Sequence, residues 1–224
     1  MNAVPKEQRW FPPRDPASAI SHFVGFILAV IGTVLLIIKG WHAGGAWYAG
    51  SFAIFGISMI LLYLASTLYH WLELNEAGNL MLRKLDHAMI YVLIAGTYTP
   101  ICMIALSGLW GKALLITIWL LAWGGIFLTL FYFEAPRWLT TSIYIFMGWL
   151  VIIAIVPLTK TLPLAGFAWL VGGGVFYTIG GIIYGRKRSL IQRPGFGFHE
   201  VFHIFILFGT LCHYLLMLLV LTQI

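Results

Sequence analysis

Apolar residues run along this chain in blocks of about 20, broken by short polar connections. A helix that crosses a bilayer needs about 20 mostly apolar residues. The blocks therefore predict seven spanning helices, at residues 17–38, 46–71, 80–106, 112–133, 138–156, 164–184 and 197–221. The connections at 40–45, 107–111, 134–137 and 157–163 are too short for a second domain. The expected fold is all-α, a polytopic membrane protein forming a single seven-helix domain over residues 1–224, with residues 1–16 as a short cytoplasmic tail. The tail is polar and proline-bearing, with no apolar run. No cleaved signal peptide is expected, and the first helix acts as its own insertion signal.

Composition agrees with the pattern. Of 224 residues, 61% are hydrophobic and 9% charged, whereas a soluble domain carries about 25% charged residues. The net charge of +6 does not point to nucleic acid, because the basic residues lie between apolar blocks, where they set topology and meet anionic headgroups. With a cytoplasmic N-terminus, Lys6, Arg9, Arg14, Arg83, Lys84, Arg137, Arg186, Lys187, Arg188 and Arg193 fall inside, and Lys39, Lys112 and Lys160 outside. Basic residues are retained on the cytoplasmic side, so the expected orientation is N-terminus in, C-terminus out. Cys102 and Cys212 both lie in apolar blocks and read as core residues rather than a disulfide framework. Glycine pairs and runs such as Gly172-Gly173-Gly174 let membrane helices approach closely; no strand–loop–helix context makes them a phosphate loop.

Within these blocks polar side chains are costly, and those that occur tend to mark function. His199 and His203 lie four residues apart at the start of the last block, which puts both imidazoles on one helix face, one turn apart. The expected topology brings Ser66 and His70, near the end of the second helix, to the same side. Asp86, in the first two turns of the third helix, joins them. Three imidazoles make an open site for zinc, the arrangement in which the metal activates a water. His70, His199 and His203 are the expected metal ligands, Asp86 the general base that orients or deprotonates the water, and Ser66 a hydrogen-bond donor beside it. His22, in the first turns of the first helix, and His87, next to Asp86, are candidates to support the ligands from behind by hydrogen bonding.

Other readings of these residues are weaker. Glu200 completes a literal His-Glu-x-x-His pattern, but it points about 100° away from His199 around the helix and is better placed to pair with a headgroup or loop. His213 lies about 15 Å deeper than His203 and cannot share its metal, so a hydrogen-bonded core role is expected. No other helix offers a histidine at that depth, which argues against haem. The last helix has no central lysine for a retinal Schiff base. His42 falls in an outer connection.

Ala65-Ser66-Thr67-Leu68-Tyr69-His70, Leu85-Asp86-His87, Ala95-Gly96-Thr97-Tyr98-Thr99-Pro100 and His199-x-x-x-His203 resemble, in order and spacing, the hemolysin III family. That family is the bacterial branch of the progestin and adipoQ receptor group, which includes the adiponectin receptors and is grouped with alkaline ceramidases as seven-helix metal-dependent hydrolases. The resemblance spans residues 18–214. It implies Zn2+ held by His70, His199 and His203, Asp86 at the metal-bound water and Ser66 nearby. It also implies a multi-pass protein of the cell membrane, in bacteria the inner membrane, with ceramide-like lipids or phospholipids as partners and a link to membrane fluidity and haemolytic activity. Glu200 is outside the shared motif, and the short tail lacks the receptors' extended cytoplasmic region.

Three functions compete. One is zinc-dependent hydrolysis of a membrane lipid amide or ester in lipid and fluidity homeostasis. The second is a non-enzymatic membrane sensor in which the metal is structural. The third is a pore-forming haemolysin, which ranks last because a secreted pore former needs a soluble state that this composition does not offer.

Overall fold

The computed structural model describes residues 13–106, 108–132, 135–189, 191, 193 and 196–224. Most of the expected tail, with Lys6 and Arg9, lies outside them. The described residues form helices α1 (Pro16–Trp71), α2 (Glu76–Pro100), α3 (Gly108–Phe131), α4 (Arg137–Trp149), α5 (Ile155–Thr161), α6 (Leu164–Arg186) and α7 (Phe198–Leu219). A π-helical turn, Ile101–Ala105, extends α2, and a 3-10 segment, Leu150–Ala154, joins α4 to α5. Among the described residues there is no strand beyond a single bridge between Arg193 and Phe196. Among the described residues six segments are long and apolar enough to cross a membrane, and the chain is a multi-pass membrane protein.

The 56 residues of α1 would measure about 84 Å if straight, against a hydrocarbon core of about 30 Å. The helix breaks instead. Gly44 and Gly45 leave helical backbone, and Gly45 adopts φ 63°, ψ −149°, a conformation that a side chain makes costly. The chain then folds back on itself: Asp15 N–H donates to His70 C=O at 3.0 Å, and Arg14 N–H to Trp71 C=O at 3.4 Å. The connection expected at 40–45 thus shrinks to two glycines, and the end of α1 returns to its beginning. This reversal carries His70 back beside Asp15.

α2 is the central helix. In its most apolar stretch 67% of residues are buried, against 17–44% in the other five segments. The outer helices turn large apolar side chains outward, as with Leu120, Trp123 and Phe127 on α3, a surface suited to lipid.

Helix contacts rely on small residues, as membranes require when the hydrophobic effect does not separate helix from lipid. A Cβ on Gly209 of α7 would fall 2.4 Å from the Tyr177 ring of α6. The break between α4 and α5 has a specific cause. Tyr98 of α2 donates its hydroxyl to Met147 C=O and Gly148 C=O, both at 2.8 Å, and accepts from Val151 N–H at 2.8 Å. A phenol inserted into the helical ladder takes the place of the i to i−4 bond and forces the tighter turn.

Candidate metal centre

Near the starts of α1 and α7, one ligand nitrogen from each of His70, His199 and His203 lies within 4.8 Å of the others. His70 comes from the returning half of α1; His199 and His203 come from the first two turns of α7, spaced so that both face α1. Ring centroids are 4.9 Å apart for His70–His199, 5.0 Å for His70–His203 and 4.6 Å for His199–His203. His70 Nε2 and His199 Nε2 approach to 3.1 Å. Tetrahedral zinc with 2.0–2.1 Å bonds separates its nitrogens by about 3.3–3.4 Å, so adjustments on the order of 1 Å bring the trio around one ion. The donor set suits zinc and other divalent ions that favour nitrogen.

A carboxylate stands behind the trio. Asp15, the residue just before α1, receives a hydrogen bond from His70 Nδ1 at 3.0 Å. With Nδ1–H committed to Asp15, Nε2 is the free lone pair aimed at the other imidazoles, the way an outer carboxylate fixes tautomer and raises ligand basicity. Burial raises the Asp15 carboxyl, but the His70 hydrogen bond and the neighbouring His70 and Arg14 charges outweigh it and hold the group below its usual range. Sequence reasoning missed Asp15. The available signal was a carboxylate at the mouth of the first helix, on the side expected for His70.

The other expected residues gather at the same place. His22 stacks face to face on His203, centroids 3.7 Å apart and planes 9° apart. Ser66, Asp86 and His87 line one cavity with His22, His199 and His203. His87 is held by its own partners: Nδ1–H donates to Arg83 C=O at 2.8 Å, which leaves Nε2 to accept from Tyr184 at 3.0 Å. Its Nδ1 is also 3.7 Å from Asp86. Glu200 is engaged elsewhere. It accepts from Ser18 Oγ–H at 2.9 Å and from Gly197 N–H at 2.7 Å, capping α7 and tying it to α1. That fits the expected loop-pairing role rather than a base.

The cavity, about 130 Å³ in volume, is apolar along most of its wall. It reaches from Tyr184 in the last turn of α6 to Phe167 in the first, a length of roughly 25 Å. Several polar atoms on its lining are buried without a hydrogen-bond partner: Ser66 Oγ, both nitrogens of His22, and Nδ1 of His203 and of His213. Each such atom costs about 1–3 kcal/mol if left unpaired. Ser66 does not bond back to its own helix, whereas its neighbour Thr67 does, donating to Tyr63 C=O at 2.7 Å. His213, expected to be hydrogen-bonded in the core, is buried, but its Nδ1 has no partner and its ring lies on the cavity. Cys102 and Cys212 are free and buried, as expected.

A family described as Haemolysin-III related matches residues 12–214. The chain belongs to that family. Among Haemolysin-III relatives, a protein named Hemolysin-3 homolog from Bacillus subtilis (strain 168) is 43% identical over 194 residues, covering 87% of this chain and 88% of its own. Hemolysin-3 from Bacillus cereus is 40% identical over 200 residues, covering 89% of this chain and 88% of its own. The chain is a multi-pass membrane protein of that family, and its geometry places His70, His199 and His203 where they could hold a metal ion.

Proposed function

We propose that this protein is a zinc-dependent hydrolase of amide or ester bonds in membrane lipids, acting in membrane lipid homeostasis. The reading rests on one observation above others: Asp86 and the unpartnered Ser66 hydroxyl share an apolar cavity with His199 and His203, two of the three histidines. A purely structural ion would need neither. The proposal includes seven crossings, with the two halves of α1 counted separately, and a cytoplasmic N-terminus. Reporter fusions at Ile224 and after Arg188 are then expected on opposite sides of the membrane.

His70, His199 and His203 would hold the ion. When bound there, zinc would supply Lewis acidity toward a carbonyl and lower the pKa of a water to about 7. The chain supplies the rest. The Asp86 carboxylate orients the attacking water, accepts its proton and passes it to the leaving nitrogen or oxygen as the amide or ester bond breaks. Ser66 Oγ–H donates to the carbonyl oxygen as negative charge grows on it, in a site where apolar walls strengthen that bond. Asp15 fixes the tautomer of His70. The remaining cavity takes the acyl chain, and the carbonyl rests among the histidines near the level of the headgroup linkages.

The test is turnover. Purified, metal-loaded protein is incubated with ceramides and phospholipids, and released fatty acid is measured. Release that stops after chelation and returns with zinc supports the hydrolase. A full metal complement with no release across the panel contradicts it. The trio would then serve as a staple between α1 and α7 in a lipid sensor, a reading favoured by the position of the three ligands on just those two helices.

A further inference from the structure

We propose that the cavity has a second recognition point, at His213, which binds a hydroxyl group carried partway along a lipid chain. The proposal rests on the reading that a lipid occupies the cavity with its carbonyl or carboxyl end at the histidine trio. It adds which lipids are preferred.

His213 is 6% exposed, and its Nδ1 makes no hydrogen bond. A neutral imidazole offers one donor and one acceptor, so the cavity must provide a partner or leave one capacity unused in an apolar interior. The ring is closely seated: a Cβ on Gly173 of α6 would come within 2.5 Å of His213 Nε2. It is also in polar company. Tyr177, 5.4 Å away by ring centroids, shares a hydrogen bond of 2.9 Å with Thr210, which accepts a second from Tyr63 at 2.8 Å. These groups come from α1, α6 and α7 and carry no formal charge. They suit a neutral ligand group that both donates and accepts, which describes an alcohol.

Spacing locates that alcohol. His213 follows His203 by ten residues in one helix, a separation of about 15 Å. An extended chain advances roughly 1.2 Å per bond. A hydroxyl about 12 bonds from the group at the trio therefore reaches His213. A metal at this depth is not indicated, because the other histidines and the carboxylate that line the cavity belong to the far cluster.

The experiment uses zinc-loaded protein in detergent, with octadecanoic acid, 12-hydroxyoctadecanoic acid and 2-hydroxyoctadecanoic acid as probes in a competition binding assay. The 12-hydroxy acid is expected to bind about fivefold more tightly than the unsubstituted acid, and the 2-hydroxy acid is expected to show no such gain. In His213→Leu the preference falls to about one while affinity for octadecanoic acid stays within about twofold; His213→Gln, which keeps a donor and an acceptor, retains part of it. Equal binding of all three acids by the wild-type protein overturns the subsite, whether or not any variant folds, and leaves a buried water as the partner of His213. Binding of none of them overturns the lipid reading of the cavity itself.

Discussion

The cavity meets histidines at two depths, and their company differs. Near the starts of α1 and α7, three imidazoles from two helices converge with Asp15 behind His70, and Asp86 lines the cavity with His199 and His203. Deeper in, His213 stands as one imidazole beside Tyr177 and Thr210, hydroxyls without charge. A divalent ion needs several lone pairs at once and negative charge close by to offset its own. A single imidazole among hydroxyls meets neither condition, but it recognises a neutral polar group well. A histidine in a spanning helix is therefore informative only with its neighbours: the same side chain suits a metal at one depth and a hydroxyl at the other.

The contrast can be broken first at Asp86. If the shallow cluster is catalytic, Asp86→Asn is expected to lower fatty-acid release by about 10²–10⁴-fold while zinc stays bound, since a general base is removed and three imidazoles remain. Unchanged release with zinc retained would reduce Asp86 to a bystander. Ser66→Ala comes next, with a loss on the order of 10²-fold in turnover and little change in metal content, the usual effect of removing one oxyanion donor. The histidine partner is next in size: Asp15→Asn is expected to weaken zinc binding by about 10–100-fold, measured by competition with a chelator. Gly173→Ala sharpens the comparison from the other side. Its new Cβ meets the His213 imidazole, so a stability loss of about 1–3 kcal/mol is expected, with zinc affinity at the trio unchanged. A parallel loss of zinc would mean that the two depths are not independent.

The spanning blocks and the convergence of polar residues were legible in the sequence because bilayer thickness imposes a strict length on each block, and topology then fixes which ends meet. His70, His199, His203, Ser66 and Asp86 could be grouped on that basis alone. Details set by tertiary contact were not legible. The turn between the two halves of α1 needs only Gly44 and Gly45, so the polar connection expected from 40 to 45 is mostly helix. The 3-10 segment Leu150–Ala154 follows from Tyr98 reaching in from α2, a contact across 53 positions that no local pattern announces. Asp15 looked like part of a polar tail until the reversal of α1 put it against His70, 55 residues away. The close seat of His213 depends on Gly173 of α6, which leaves room for the ring at its Nε2 edge, and that its Nδ1 has no partner is set by tertiary packing in the same way.

Zinc content per chain tests the metal centre most directly. Protein purified without added chelator and analysed by elemental mass spectrometry should hold one zinc per chain in the wild type and in His213→Leu, and close to none in His70→Ala and His203→Ala. Zinc that survives both of those substitutions, or that disappears with His213, would show that the three histidines are not the metal site.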